Sequence, residues 1–155
     1  MKTFKFISKS EEETKGFASK FARVLRPNDC LALVGEFGSG KTTFVKGLVR
    51  GFGFRKKNYV CSPSFVLLKI YRGRLPVYHF DLYRLNSPKD VEGIGLTEFL
   101  EAGGVSVIEG ADKIKNFLPS EHLKIKFSIL GPRKRSVVFF TTTLRLKRFL
   151  KRMVA

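Results

Sequence analysis

Residues Gly35-Glu36-Phe37-Gly38-Ser39-Gly40-Lys41-Thr42 match the spacing G-x-x-x-x-G-K-[ST]. They lie between an apolar run, Leu31 to Val34, and a helix-like stretch, Thr43 to Phe52. Strand, glycine-rich loop and helix in that order make a phosphate-binding loop, and few short sequences constrain a fold as strongly. Starting from Gly35, the glycines let the backbone turn tightly around an anion. The N–H groups from Gly38 through Ser39 and Gly40 to Thr42 then point inward at a helix N-terminus, where the dipole favours negative charge. In such a loop Lys41 reaches the β- and γ-phosphates and Thr42 ligates Mg²⁺.

With 155 residues the chain fits one domain, enough to bury a core around this unit but too short for an added substrate domain. It has no apolar run of about 18 residues, and Met1 to Phe6 contain no long apolar segment. Neither a membrane span nor a signal peptide is predicted, and a cytoplasmic location is expected. Cys30 and Cys61 are too few for a disulfide framework. Together with His79 and His122 they show no metal-ligand spacing, and they are read as small buried or incidental residues.

Ordering the remaining segments around the loop predicts a mixed sheet. Thr3 to Ile7 alternates as a strand, and Ser10-Glu11-Glu12-Glu13 opens a helix with Phe17, Phe21, Val24 and Leu25 on one face. Beyond Ser62-Pro63-Ser64, the runs Phe65 to Tyr71 and Leu75 to Asp81 read as a hairpin turned at Arg72-Gly73, placed where a purely parallel fold would put a crossover helix. Pro88 to Leu100 is expected to be helical with a break near Gly93 and Gly95, and Val105 to Glu109 to be a buried strand. Leu123 to Leu130 and Arg135 to Thr142 are expected to form a second hairpin around Gly131-Pro132. The expected fold class is α/β, a single-domain P-loop NTPase-like mixed β-sheet flanked by helices.

A phosphate loop also needs carboxylates at the ends of neighbouring strands, to hold Mg²⁺ directly or through water, or to orient the attacking water. Asp81 and Glu109 both end apolar strands at the edge where ligands bind in open α/β sheets. Either acid suits either task. A guanine-reading N-K-x-D sequence and an arginine-rich lid are both missing, so ATP is the default nucleotide. Ser62 and Ser64 are candidates to supply a hydroxyl near the γ-phosphate.

The formal charge of +17 favours acidic partners such as nucleotide or tRNA. Much of it falls late in the chain, at Arg133, Lys134 and Arg135 and again at Arg145, Lys147, Arg148, Lys151 and Arg152. Leu146, Phe149, Leu150 and Met153 recur at helical spacing among the latter, so residues 144–155 read as a basic amphipathic segment. It suits RNA, an acidic protein or a membrane surface; equally, it suits a terminal helix packed by its apolar stripe.

With these residues in view, the chain resembles the bacterial TsaE family, small ATPases required for threonylcarbamoyladenosine formation in tRNA. The resemblance rests on Gly35 to Phe44, Ser62-Pro63-Ser64-Phe65, Gly95-Leu96 with Glu98, and Val107-Ile108-Glu109. Most specific is the block Tyr78-His79-Phe80-Asp81-Leu82-Tyr83-Arg84-Leu85. It implies an ATP- and Mg²⁺-dependent accessory protein that binds TsaB and TsaD and permits repeated turnover, the carbamoyl transfer itself occurring on TsaD. It also implies that Lys41 and Thr42 bind nucleotide and metal, that Thr43 is a further phosphate contact, that Ser64 stands where relatives usually have a switch threonine, and that Asp81 and Glu109 are the acids. One departure is Gly110, where relatives usually have tryptophan; this chain contains no tryptophan.

Two other functions fit parts of the sequence. In a small-molecule or nucleoside kinase, Asp81 would be the base accepting an acceptor hydroxyl proton. In an RNA-binding module with a vestigial nucleotide site, Phe139, Phe140 and Phe149 would stack bases, although Phe139 and Phe140 on a strand are better suited to the core.

Overall fold

The computed structural model describes residues 2–54, 68–83, 85 and 87–154. These form a seven-stranded sheet in the order β1-β7-β6-β2-β5-β4-β3. The strands are β1 (Lys2–Ser8), β2 (Cys30–Val34), β3 (Leu68–Arg72), β4 (Pro76–Asp81), β5 (Val105–Glu109), β6 (Leu123–Ile129) and β7 (Arg135–Thr141). The central pairs β6–β2, β2–β5 and β5–β4 are parallel, and the outer strands β1, β7 and β3 are antiparallel to their neighbours. Both expected hairpins are present. Phe65 to Leu67, the start predicted for the first, and Ser62-Pro63-Ser64 lie outside the described residues.

Helix α1 (Glu11–Phe21) begins as its sequence demands. The Ser10 side chain accepts from the Glu13 N–H at 3.1 Å, and the Glu13 carboxylate accepts in return from the N–H of Lys9 at 2.8 Å, one residue before the cap. Helix α2 (Lys41–Gly51) lies directly against it, close enough that a Cβ at Gly47 would stand 2.4 Å from the Lys15 carbonyl oxygen. Glycine is therefore required there, because the backbones themselves touch. This contact locks the helix that follows the phosphate loop.

α1, α2 and the terminal α5 (Leu144–Val154) cover one face of the sheet, where Phe17, Phe21, Phe44, Phe127, Phe139 and Phe149 share one core. The rings of Phe44 and Phe127 meet edge-on at 5.6 Å. The other face is covered by α3 (Pro88–Gly93), α4 (Leu96–Leu100) and a 3-10 segment, Ala111–Phe117. The helical break near Gly93 and Gly95 is as expected. The 3-10 segment is not legible in the sequence, because its charged residues show no helical period.

The tail is a packed helix: Leu146, Phe149 and Leu150 are buried in the main core, and Arg148, Lys151 and Arg152 are exposed. Arg145 does not belong to that free basic face. Its guanidinium holds both carboxylate oxygens of Asp29, at 2.9 and 3.0 Å, and donates to the Val24 carbonyl. Phe139 is completely buried, which removes it as a base-stacking surface, and the Phe140 ring lies under the Lys124 ammonium at 5.5 Å. Among the described residues no helix is long and apolar enough to cross a membrane.

Candidate functional site

The phosphate loop leaves the C-terminal end of β2 at the centre of the sheet. Gly35, Gly38 and Gly40 all have positive φ, at 153°, 80° and 106°, and Gly40 is the residue from which α2 starts. No side chain caps that start, so its N–H groups remain available to an anion. The buried hydroxyl of Ser39 has no hydrogen-bond partner among the described residues. A buried polar atom of this kind, inside a cradle of donors, suits a phosphate oxygen.

Lys41 is nearly buried, and its ammonium donates to the Gly35 carbonyl and, at 3.1 Å, to that of Glu36. Burial pulls its pKa below the ordinary 10.5, while the carboxylates of Glu109, Asp81, Asp112 and Glu36 pull the other way. Thr42 and Thr43 are half-buried on the first turn of α2 and line the same cavity.

Asp81 and Glu109 arrive together. β4 and β5 run parallel with these two residues as Cα partners at their ends. Both side chains are buried, both face the loop cavity, and beyond the strands the Leu82 N–H donates to the Glu109 carbonyl at 2.9 Å. The Asp81 carboxylate accepts from the Tyr83 N–H at 3.2 Å. The sequence-predicted set Gly35, Gly38, Ser39, Gly40, Lys41, Thr42, Thr43, Asp81 and Glu109 thus lines one cavity of about 960 Å³. Ser64 lies outside the described residues.

Three functional candidates escaped the sequence reading. Tyr83 lays its ring 5.1 Å from the Lys41 ammonium and donates from its hydroxyl to the Gly35 carbonyl at 3.1 Å. Burial first, and then the charges of Asp112, Glu109 and Asp81, push its pKa up to about 12. Arg135 ties the β6–β7 turn to the loop, donating to the Gly38 carbonyl at 3.2 Å and to that of Gly131 at 2.7 Å. The third is His79, which is fully buried with Nε2 at 2.5 Å from Glu109 Oε2. Its signal was present: strand period places residue 79 on the same face as residue 81.

Gly110 has φ of 77°, and a Cβ there would come within 2.9 Å of the Tyr83 backbone nitrogen. The close approach of Tyr83 therefore excludes any larger residue at position 110 in this conformation. The aromatic surface beside Lys41 is the Tyr83 ring.

A nucleotide with Mg²⁺ suits these groups: an uncapped helix start, an orphan hydroxyl, one ammonium, two threonine hydroxyls and two strand-end carboxylates. Among the described residues no three histidine, cysteine or carboxylate side chains converge as a metal cage. Mg²⁺ beside phosphates needs none, since it takes one or two protein ligands and completes its shell with phosphate oxygens and water.

The chain is 39% identical over 140 residues to the tRNA threonylcarbamoyladenosine biosynthesis protein TsaE of Bacillus subtilis, covering 90% of this chain and 86% of that protein. It is 36% identical over 131 residues to the protein of the same name from Treponema pallidum, covering 84% of this chain and 96% of that one. The crystal structure of Bacillus subtilis YdiB superposes with a TM-score of 0.82 at 35% identity, covering 98% of this chain and 96% of that chain. The family model for the threonylcarbamoyl adenosine biosynthesis protein TsaE matches residues 8–137, which include the phosphate loop, both acids, Tyr83 and Arg135. On this match and the relatives that accompany it, the chain belongs to the TsaE family.

Proposed function

We propose that this protein is a Mg²⁺-dependent ATPase that acts in threonylcarbamoyladenosine modification of tRNA, in the cytoplasm, as an accessory to TsaB and TsaD. The observation that carries the reading is the meeting of Lys41 with Asp81 and Glu109 in the cavity of the phosphate loop. In this reading the amides of Gly38 and of Gly40 to Thr42, with the Lys41 ammonium, take up charge on the phosphates, which is greatest as the terminal phosphoryl group is transferred. The Ser39 N–H, expected to join them, is instead donated to the Glu36 carbonyl at 3.1 Å, which closes the turn of the loop. Bound Mg²⁺ would neutralise phosphate charge; Thr42 would hold it, with Asp81 or Glu109 completing its shell directly or through water. The second acid then orients the attacking water. The Tyr83 hydroxyl and the Arg135 guanidinium hold the loop at its start and its middle, through Gly35 and Gly38.

The basic surface, with Arg148, Lys151 and Arg152 outermost on α5, supports a contact with tRNA alone or within the assembly. The deciding experiment measures capture of TsaB and TsaD by this protein with and without ATP and Mg²⁺, beside phosphate release from ATP. Nucleotide-dependent capture and acceptor-independent phosphate release are expected. ADP formed only with a small-molecule acceptor, the phosphoryl group appearing on that acceptor rather than as free phosphate, would establish a kinase instead.

A further inference from the structure

His79 precedes Asp81 by two residues on β4 and projects to the same face of the sheet, behind the cavity. It has no solvent exposure, and the Glu109 side chain beside it is 4% exposed. The 2.5 Å separation of His79 Nε2 from Glu109 Oε2 is that of a short hydrogen bond. With Glu109 ionised its oxygen can only accept, and the imidazole then carries a proton on Nε2 and donates it. Nδ1 has no partner among the described residues, and the ring is flanked by Tyr71 with centroids 6.2 Å apart. All the polar bonding of this imidazole in the described structure is thus spent on one carboxylate oxygen.

A glutamate has three side-chain torsions, and among the described residues no ion pair to Lys41 fixes them. With one acceptor site of Oε2 taken by His79, Oε1 is the oxygen with both of its acceptor sites left to meet a water or a metal shell. We infer that His79 is a positioning residue that holds the Glu109 carboxylate in the one orientation its task requires. Its effect on turnover rests on the ATPase reading, whereas the His79–Glu109 bond itself does not.

The test compares His79→Leu, which fills the space without a donor, with His79→Gln, whose side-chain amide nitrogen falls near the place of imidazole Nε2. Each is made alone and in a Glu109→Gln background. ATP turnover and thermal stability are measured for all, and the imidazole protons of the parent and of Glu109→Ala are observed by NMR. His79→Leu is expected to lower kcat by about 10- to 100-fold with KM nearly unchanged. His79→Gln should keep most of the parent kcat, and His79→Leu should lower kcat no further once Glu109 is Gln. The parent should show a strongly downfield Nε2-bound proton that moves in Glu109→Ala.

Equal losses of kcat for Leu and Gln, or a full loss added on top of Glu109→Gln, would overturn the inference. So would reduced stability with unchanged kcat, since that is what simple satisfaction of a buried charge produces. If Glu109→Gln leaves turnover unchanged, the role of Glu109 in the ATPase fails, and NMR still decides the bond: an imidazole signal indifferent to Glu109→Ala overturns it. Should His79→Leu not fold, the Gln variant and the NMR comparison decide in the same way.

Discussion

Asp81 and Glu109 are register partners at the ends of two parallel strands, β4 and β5, so the intervening chain returns one buried carboxylate to the side of another. They are not equivalent. Asp81 accepts from the N–H of Tyr83 just beyond its own strand, whereas Glu109 is bound by an imidazole from the strand beside it. The asymmetry suits a division of labour in which one acid meets the metal shell and the other a water.

Accordingly, Glu109→Gln is expected to leave nucleotide binding intact and to lower hydrolysis by about 10²-fold, the order attached to loss of a positioned acid or base. Asp81→Asn should instead raise the Mg²⁺ concentration needed for half-maximal rate. Titrating Mg²⁺ against both variants checks the assignment. Exchanged phenotypes would exchange the roles, and parent-like behaviour in both would refute a two-acid site.

Lys41→Ala should reduce turnover by about 10²- to 10³-fold, because an oriented charge is lost where negative charge develops. The lowered pKa of Lys41 adds a pH signature. ATP affinity should fall as pH rises through that lowered value, before the ordinary lysine range, while Tyr83, at about 12, keeps its proton and its bond to Gly35. In the same interval the unfolded chain binds more protons than the folded one, so Lys41 makes stability rise with pH. Affinity falling while this contribution to stability rises separates titration of Lys41 from alkaline unfolding. Lys41→Arg should lose the alkaline limb, since a guanidinium stays charged. Isothermal titration with ATP between neutral and alkaline pH provides the measurement.

Tyr83→Phe removes the hydroxyl that holds Gly35 but keeps the ring beside Lys41. It should weaken ATP binding by about 1 kcal/mol, the usual net worth of one hydrogen bond, and Tyr83→Ala should weaken it further. Gly110→Ala forces a side chain into left-handed backbone against Tyr83 and should cost about 1–2 kcal/mol of stability. Denaturant unfolding of the two families would show the difference: Tyr83→Phe acts mainly on affinity and Gly110→Ala mainly on stability.

On α5, reversing the charges of Lys147, Arg148, Lys151 and Arg152 spares the buried stripe. If these side chains meet tRNA phosphates, the slope of log affinity against log salt should flatten by roughly 0.7 to 0.9 per lost contact, with ATP hydrolysis unchanged. An unchanged slope assigns tRNA binding elsewhere. Deleting residues 147–155 is a different perturbation: it removes Phe149 and Leu150 from the core, at about 1.5–3 kcal/mol for each large buried side chain. Thermal unfolding should register that loss even where RNA binding does not.

The phosphate loop, its flanking strand and helix, both hairpins and the acids at positions 81 and 109 were legible in the sequence because each is specified locally. Glycine spacing, period-2 alternation and turn residues act over a few neighbours and need no distant partner. The same holds for the apolar stripe of α5, although its two readings could be separated only by what it packs against.

The amino-acid order alone determined a strand–loop–helix with the spacing of a phosphate-binding loop, two strand-end carboxylates and a basic terminal helix. Tertiary structure decided which of those groups meet. Parallel pairing of β4 with β5 set Asp81 beside Glu109, and the same register delivered His79 to the Glu109 carboxylate from 30 residues away. Chain return across the sheet carried Tyr83 to Gly35 over a separation of 48 residues and Arg135 to Gly38 over 97. It also withdrew Arg145 from the free basic face by pairing it with Asp29. Local propensity carries no information about such partners. They are chosen by strand register and by the burial of both faces of the sheet, which only the folded chain as a whole can satisfy.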